Sequence, residues 1–289
     1  MAEILFFTGK GGVGKTTISA LTAIERSSKG NKVLLTSIDP AHSLSDIFEM
    51  AKSEKINLEN IDHVEIDIHK ETEKYIRNAL DTISKFISGD TFSKVKNIVE
   101  SLAFSPGAED AVLLEVISRL IFQEKKNYDV LIFDTAPSGH TIRFLKDMYN
   151  SGRLLEHIYE EAKTIFHFKK ISGVNTGSVD IPSLIKDRTE RIKGLWNLIK
   201  ERKIEFIVVM NPDFLSFQET KRLINELENS EIYIKAIFIN KIFTDEFPVE
   251  YVKEQRYIIK RIEECFNSYR LIKVGYFDGK RLLRYKLDL

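Results

Sequence analysis

Short runs of consecutive apolar, β-prone residues recur along the chain. Between them, apolar residues return every three or four positions. The runs predict strands over 4–8, 32–38, 64–68, 129–134, 205–210, 235–240 and 271–274. Several are apolar throughout, such as "VLIF" before Asp134 and "FIVV" before Met210. Strands buried on both faces read this way, so the pattern predicts an α/β fold: a mostly parallel sheet flanked by helices.

Two stretches break the alternation. Over about 70–104, Tyr75, Ile76, Ala79, Leu80, Ile83, Phe86 and Ile87 keep helical spacing, and Phe92, Val95, Ile98, Val99 and Leu102 repeat it. Over 148–200 the same spacing joins Leu154, Leu155, Ile158, Ile165, Phe166 and Phe168, then Ile192, Leu195, Trp196 and Ile199. The Gly/Ser-rich "ISGVNTGSVDIPS" between these sets reads as a loop. The expectation is one domain over 1–289 whose two helical insertions form a subdomain. The competing reading packs these apolar faces into the main core.

Composition narrows the partners. Lys+Arg and Asp+Glu number 43 each, so the net charge is zero and nothing electrostatic favours nucleic acid. Cys265 is the only cysteine, which excludes a disulfide or a cysteine-pair metal site within one chain. The N-terminus enters a strand without a basic-then-apolar leader, and no apolar run reaches the ~18 residues of a membrane span. A cytoplasmic protein is expected.

Three of the predicted strands end in polar motifs. The first is "GKGGVGKTT", residues 9–17. Gly9, Gly14, Lys15 and Thr16 satisfy G-x-x-x-x-G-K-[ST], a phosphate-binding loop between strand and helix. Its backbone N–H groups cradle a polyphosphate, Lys15 reaches the β/γ-phosphates, and the Thr16 hydroxyl ligates Mg²⁺. The second motif is "DPAHSLSD". There Asp39 is placed either to orient a water near a γ-phosphate or to cap a helix. The third is "DTAPSGHT", whose Asp134 fits a second carboxylate holding Mg²⁺, usually through water. Ligands of open α/β sheets bind at the carboxyl ends of the strands, so the three motifs predict one site. A second lysine, Lys10, is not needed by the ordinary loop.

Together these motifs resemble the ArsA/Get family of deviant P-loop ATPases, which includes arsenite-pump ATPases and ATPases that target tail-anchored membrane proteins. The likeness continues through "NPDFLSFQETKRLINEL", with Asp213 where the family has glutamate, through "FIN" at Asn240, and through "VGYFDGKRLLR", a degenerate form of the family's adenine loop containing Tyr276 and Phe277. "SPGAEDA" is similar to its P-P-G-x-x-E. The resemblance covers nearly the whole chain as a single-core member. It implies ATP and Mg²⁺ as cofactors, contacts to ATP from Gly9, Lys10, Gly11, Gly12, Val13, Gly14, Lys15, Thr16, Thr17, Asp213, Asn240, Tyr276 and Phe277, and a homodimer. In such a dimer Lys10 acts as a catalytic finger on the partner's nucleotide, beside Asp39. The family's targeting branch often shares a zinc through Cys-x-x-Cys; "NKIFTDEFPVEYVKEQRY" has no cysteine, so no zinc is expected. Arsenite pumps sense metalloid through several cysteines, and this chain has one. The resemblance therefore implies first a dimeric targeting factor. It would carry hydrophobic transmembrane segments to a membrane receptor, with a pump-driving ATPase subunit as the alternative. A partitioning ATPase lacks its basic patch and switch sequence here.

Overall fold

The computed structural model describes residues 2–38, 43–84, 89, 92–93, 96–97, 100, 108–134, 181–244, 246–276, 287 and 289. Asp39 and its neighbours to 42, the 135–141 loop, Phe277 and much of both insertions, including Phe86 and Phe166, lie outside these. In chain order the described elements are β1 (Glu3–Thr8), α1 (Lys15–Ser28), β2 (Val33–Ser37), α2 (Ser43–Ser53), β3 (Ile61–Glu65), α3 (Ile68–Ser84), α4 (Ala108–Glu124), β4 (Val130–Asp134), α5 (Ile181–Lys200), β5 (Ile204–Met210), α6 (Phe214–Asn229), β6 (Ile234–Ile242), α7 (Val249–Cys265) and β7 (Leu271–Gly275). Contacts divide the chain into two units. One is Met1–Ile66 with Gln123–Ile142 and Leu198–Leu289; the other is Asp67–Phe122 with Arg143–Asn197.

The first unit contains a seven-stranded sheet in the order β3-β2-β4-β1-β5-β6-β7. Every neighbouring pair is parallel. This is the predicted sheet, and its cause is the apolar run: β4 and the last five residues of β1 are buried on both faces. Phe6 stacks between Phe133 and Phe206, at 4.7 Å and 5.4 Å between ring centroids. On the opposite face Leu5 and Phe7 join Ile18, Leu21 and Ala23 of α1 in the core. Emptying one such position, as in Phe7→Ala, costs about 3–5 kcal/mol.

Six of the seven strands lie where the apolar runs predict them, within two residues at either end. β3 lies three residues earlier than predicted. Pairing with β2 sets its register, Val33 opposite Ile61 through Ser37 opposite Glu65. Ile66 and Ile68, which resemble strand residues in sequence, flank a helix start. The Asp67 carboxylate accepts the Lys70 N–H at 3.1 Å and caps α3.

In the second unit α3 and α4 are linked by Arg119–Glu71 at 3.1 Å, and α4 and α5 by Arg191–Glu115 at 2.6 Å. Val112, Leu114, Ile117 and Ile121 of α4 are buried. On α3, Tyr75, Ile76, Ala79 and Leu80 are only half-buried. No helix among the described residues is long and apolar enough to cross a membrane.

Candidate nucleotide site

β1 occupies the centre of the sheet, with β4 and β2 on one side and β5 and β6 on the other. Its register places Phe7 level with Asp134, and Asp134 level with Ser37. The segments that leave β1, β2 and β4 therefore start side by side at the carboxyl edge. Those are the three strands whose ends carry the motifs.

The loop after β1 is shaped by two close approaches. A Cβ on Gly9 would lie 2.1 Å from the Val209 carbonyl oxygen of β5, at a φ of +149°. One on Gly14 would lie 2.5 Å from Asn240 Nδ2, at a φ of +95°. A side chain at Gly9 would push the loop off the β5 backbone, and one at Gly14 would displace Asn240 and strain a left-handed backbone. Gly14 precedes α1 and offers no side-chain cap, so the first-turn N–H groups of α1 are left for an anionic ligand. Val13 is buried and anchors the loop in the core. Gly11 and Gly12 are exposed, and Thr16 and Thr17 are half-buried.

The two lysines of the loop are held differently. Lys15 is 4% exposed and its Nζ donates to the Lys10 carbonyl at 3.2 Å, spanning its own loop. Lys10 Nζ points to α6 instead, where Glu219 Oε1 lies 3.1 Å away. Asp134 is fully buried at the end of β4, and its carbonyl accepts the Ile38 N–H at 2.9 Å.

At the ends of β5, β6 and β7 opens a cavity of about 360 Å³, lined among others by Asn211, Asp213, Lys241, Phe243, Gln255 and Tyr276. That lies within the range of roughly 300–1,000 Å³ usual for small-molecule sites. Asp213 caps α6, accepting the Ser216 N–H at 2.8 Å. Tyr276 stands edge-on to Phe243 and Phe247, and those two rings stack at 4.5 Å. Of the residues expected to contact ATP, Asp213 and Tyr276 line this cavity. Asn240 is buried beside it, its Nδ2 donating to the Val13 carbonyl of the phosphate loop at 2.8 Å.

Sequence reasoning missed Glu219, Lys241 and Gln255. Glu219 occurs inside the "NPDFLSFQET" segment and Lys241 directly follows Asn240. Gln255 is a polar residue on the buried stripe of α7, among Val252, Ile258, Ile259 and Ile262. A polar side chain inside an apolar stripe signals a specific partner.

A parallel sheet with a glycine-shaped, lysine-bearing loop after its central strand, and a buried aspartate one strand away, defines a P-loop nucleotide hydrolase. Residues 2–280 match the model of the anion-transporting ATPase family, and the chain belongs to that family. It is an ATPase. Its relatives include a protein of Aquifex aeolicus named as an arsenical pump-driving ATPase, 37% identical over 95% of this chain and 93% of the relative. The ATPase GET3 of Phaeosphaeria nodorum is 29% identical over 93% of this chain and 87% of its own. An ATPase ASNA1 homologue of Entamoeba dispar is 28% identical over 94% and 87%.

Proposed function

We propose that this ATPase works as a homodimeric targeting factor that binds hydrophobic transmembrane segments and hands them to a membrane receptor. The observation that carries this reading is the α3 stripe: Tyr75, Ile76, Ala79 and Leu80 are apolar or aromatic yet only half-buried, while the faces of α4 and α5 are well buried. A transmembrane helix of about 20 residues needs an apolar trough larger than an ordinary surface patch. The GET3 and ASNA1 relatives, aligned over nearly the whole chain, support the same reading.

ATP is placed with its phosphates on residues 9–17 and its base in the cavity beside Asp213, Asn240 and Tyr276; Phe277 is assigned to the same base site from its sequence position. The donors offered to the cation are the Thr16 hydroxyl and the Asp134 carboxylate. These are hard oxygen ligands that suit Mg²⁺, which neutralises phosphate charge when bound. Asp39 orients the attacking water, and Lys10 of one subunit adds positive charge at the other subunit's phosphates.

The 37% identical relative favours a second reading, an ATPase subunit that drives a membrane anion pump. A soft metalloid needs several thiolates, whereas this chain brings only Cys265, exposed at the end of α7. Site-specific crosslinking separates the two. A photoreactive group at Leu80, Phe86 or Phe166 should capture a tail-anchored segment when ATP is bound. Absence of crosslinks at all three, with client capture unchanged when the apolar positions become Asp, transfers the assignment to the pump subunit.

A further inference from the structure

The end of β6 carries a device that the sequence motifs do not account for. Against β7, the register steps from Ile239 opposite Lys273 to Ile242 opposite Gly275. Three residue steps on β6 face two on β7, so Asn240 and Lys241 form a β-bulge with one residue extra. Lys241 has a φ of +59°, the left-handed region that non-glycine residues seldom enter.

The bulge has a geometric consequence. In a regular strand, neighbouring side chains point to opposite faces of the sheet. Here both reach the same loop: Asn240 Nδ2 donates to the Val13 carbonyl and Lys241 Nζ to the Gly12 carbonyl, each at 2.8 Å. A one-residue insertion is what turns two successive side chains onto one target.

Gln255 of α7 braces this arrangement. Its Nε2 donates to the Lys241 carbonyl at 3.0 Å, and its Oε1 accepts the Phe243 N–H at 2.7 Å. One is a backbone group of the bulge and the other lies just past the end of β6, and Gln255 is itself 8% exposed. The Tyr276 N–H is bonded to the Ile242 carbonyl at 2.7 Å. Lys241, Phe243, Gln255 and Tyr276 also line the cavity. One short segment thus forms a wall of the cavity and at the same time holds two successive carbonyls of the phosphate loop.

The geometry points to this bulge as a relay between the two halves of the nucleotide site. Lys241 is its positioning residue and Gln255 its brace, and a purine in the cavity tightens the loop's hold on phosphate through them. The relay rests on the assignment of the cavity to the base. It differs from a direct contact, because Lys241 acts on the loop and not on the base.

The test is thermodynamic linkage between the two halves of the ligand, measured without turnover. Inorganic pyrophosphate is titrated by calorimetry into the full-length protein, with and without saturating adenosine. In the parent, adenosine should tighten pyrophosphate binding about fivefold or more, the lower range of typical site–site coupling. In Lys241→Met the coupling should fall to within about twofold of unity, whatever change each ligand's affinity alone shows. Lys241→Arg, which retains the donor, should retain the coupling. Gln255→Leu should lose it with Lys241 intact. Coupling that persists in Lys241→Met, or that is absent from a parent binding both ligands, overturns the relay. A parent that binds pyrophosphate but not adenosine removes the base-pocket assignment itself. An equal loss of both affinities at unchanged coupling would make Lys241 a structural clamp only.

Discussion

Replacing Lys10 by alanine tests the link between structure and catalysis most directly, because the two possible roles of this lysine differ greatly in size. The first role is the pair with Glu219. At 3.1 Å two unit charges in water attract by about 1.3 kcal/mol. The side chains are 33% and 46% exposed, and ordering them offsets much of that attraction, so the pair contributes under about 1 kcal/mol. The second role is a charge supplied to the partner's transferring phosphoryl group, which is worth about 10³–10⁵ in rate. Releasing Lys10 from Glu219 costs a factor of about five at most, far less than the finger role supplies. Lys10→Ala should therefore unfold within 1 kcal/mol of the parent and bind ATP within about fivefold, yet lose about 10³ or more in kcat. Steady-state phosphate release and calorimetry measure these. Glu219→Gln, which frees the lysine, should hydrolyse at the parent rate or up to about fivefold faster. Mixing subunits shows which chain supplies the charge. In an equal mixture of Lys10→Ala and Lys15→Ala chains, half the dimers are mixed and each contains one intact composite site, so about a quarter of parent activity should return. Full activity in Lys10→Ala alone, or no recovery on mixing, would refute the trans-acting lysine.

Other consequences are open to measurement. Lys15→Ala should abolish ATP binding, since the buried lysine is the loop's principal charge, and near-normal affinity by calorimetry would contradict this. Asp39→Asn should keep nucleotide binding and lose about 10²–10⁴ in turnover; a loss of only a few-fold would shift the role to Asp134. Gly9→Ala should destabilise the protein by about 1–3 kcal/mol and weaken ATP binding, since its Cβ meets the Val209 carbonyl; a denaturation midpoint equal to the parent's would show that the loop can move aside. Elemental analysis of the purified protein should find no stoichiometric zinc, and one zinc per two chains would overturn the expectation drawn from the missing Cys-x-x-Cys.

The glycine-rich loop with its strand and helix is legible in the sequence because its determinants are local. A buried strand, four glycines, a lysine and a helix lie within two dozen residues, and spacing alone relates them. The sheet is legible for the same reason: strands with both faces covered must be apolar at every position. β3 is misplaced because it is an edge strand with Asp62, His63 and Val64 exposed, so burial imposes little pattern on it. The cavity at the ends of β5, β6 and β7 depends on distant pairings. Nothing near Lys241 announces that its Nζ meets Gly12, 229 positions away. Nor does the composition of β6 reveal the extra residue opposite β7. Bulges are set by the partner strand's register, which becomes visible only when the sheet is assembled.

Three lysines converge on one loop, and their surroundings separate their roles. Lys15 is almost fully buried and bonded within the loop, which suits the proposed role on the nucleotide of its own chain. Lys241 is half-buried and bonded to the loop from β6, which suits it to transmit what happens in the neighbouring cavity. Lys10 is held outside the loop, in a partly exposed ion pair with a side chain of α6. A group meant to act on a second subunit must be both oriented and easily released. A weak contact near the surface satisfies both requirements, where a buried one would hold the charge too firmly. If Lys10 acts across a dimer as proposed, its pair with Glu219 keeps it in reserve, and closure needs only to offer it more negative charge than one carboxylate provides.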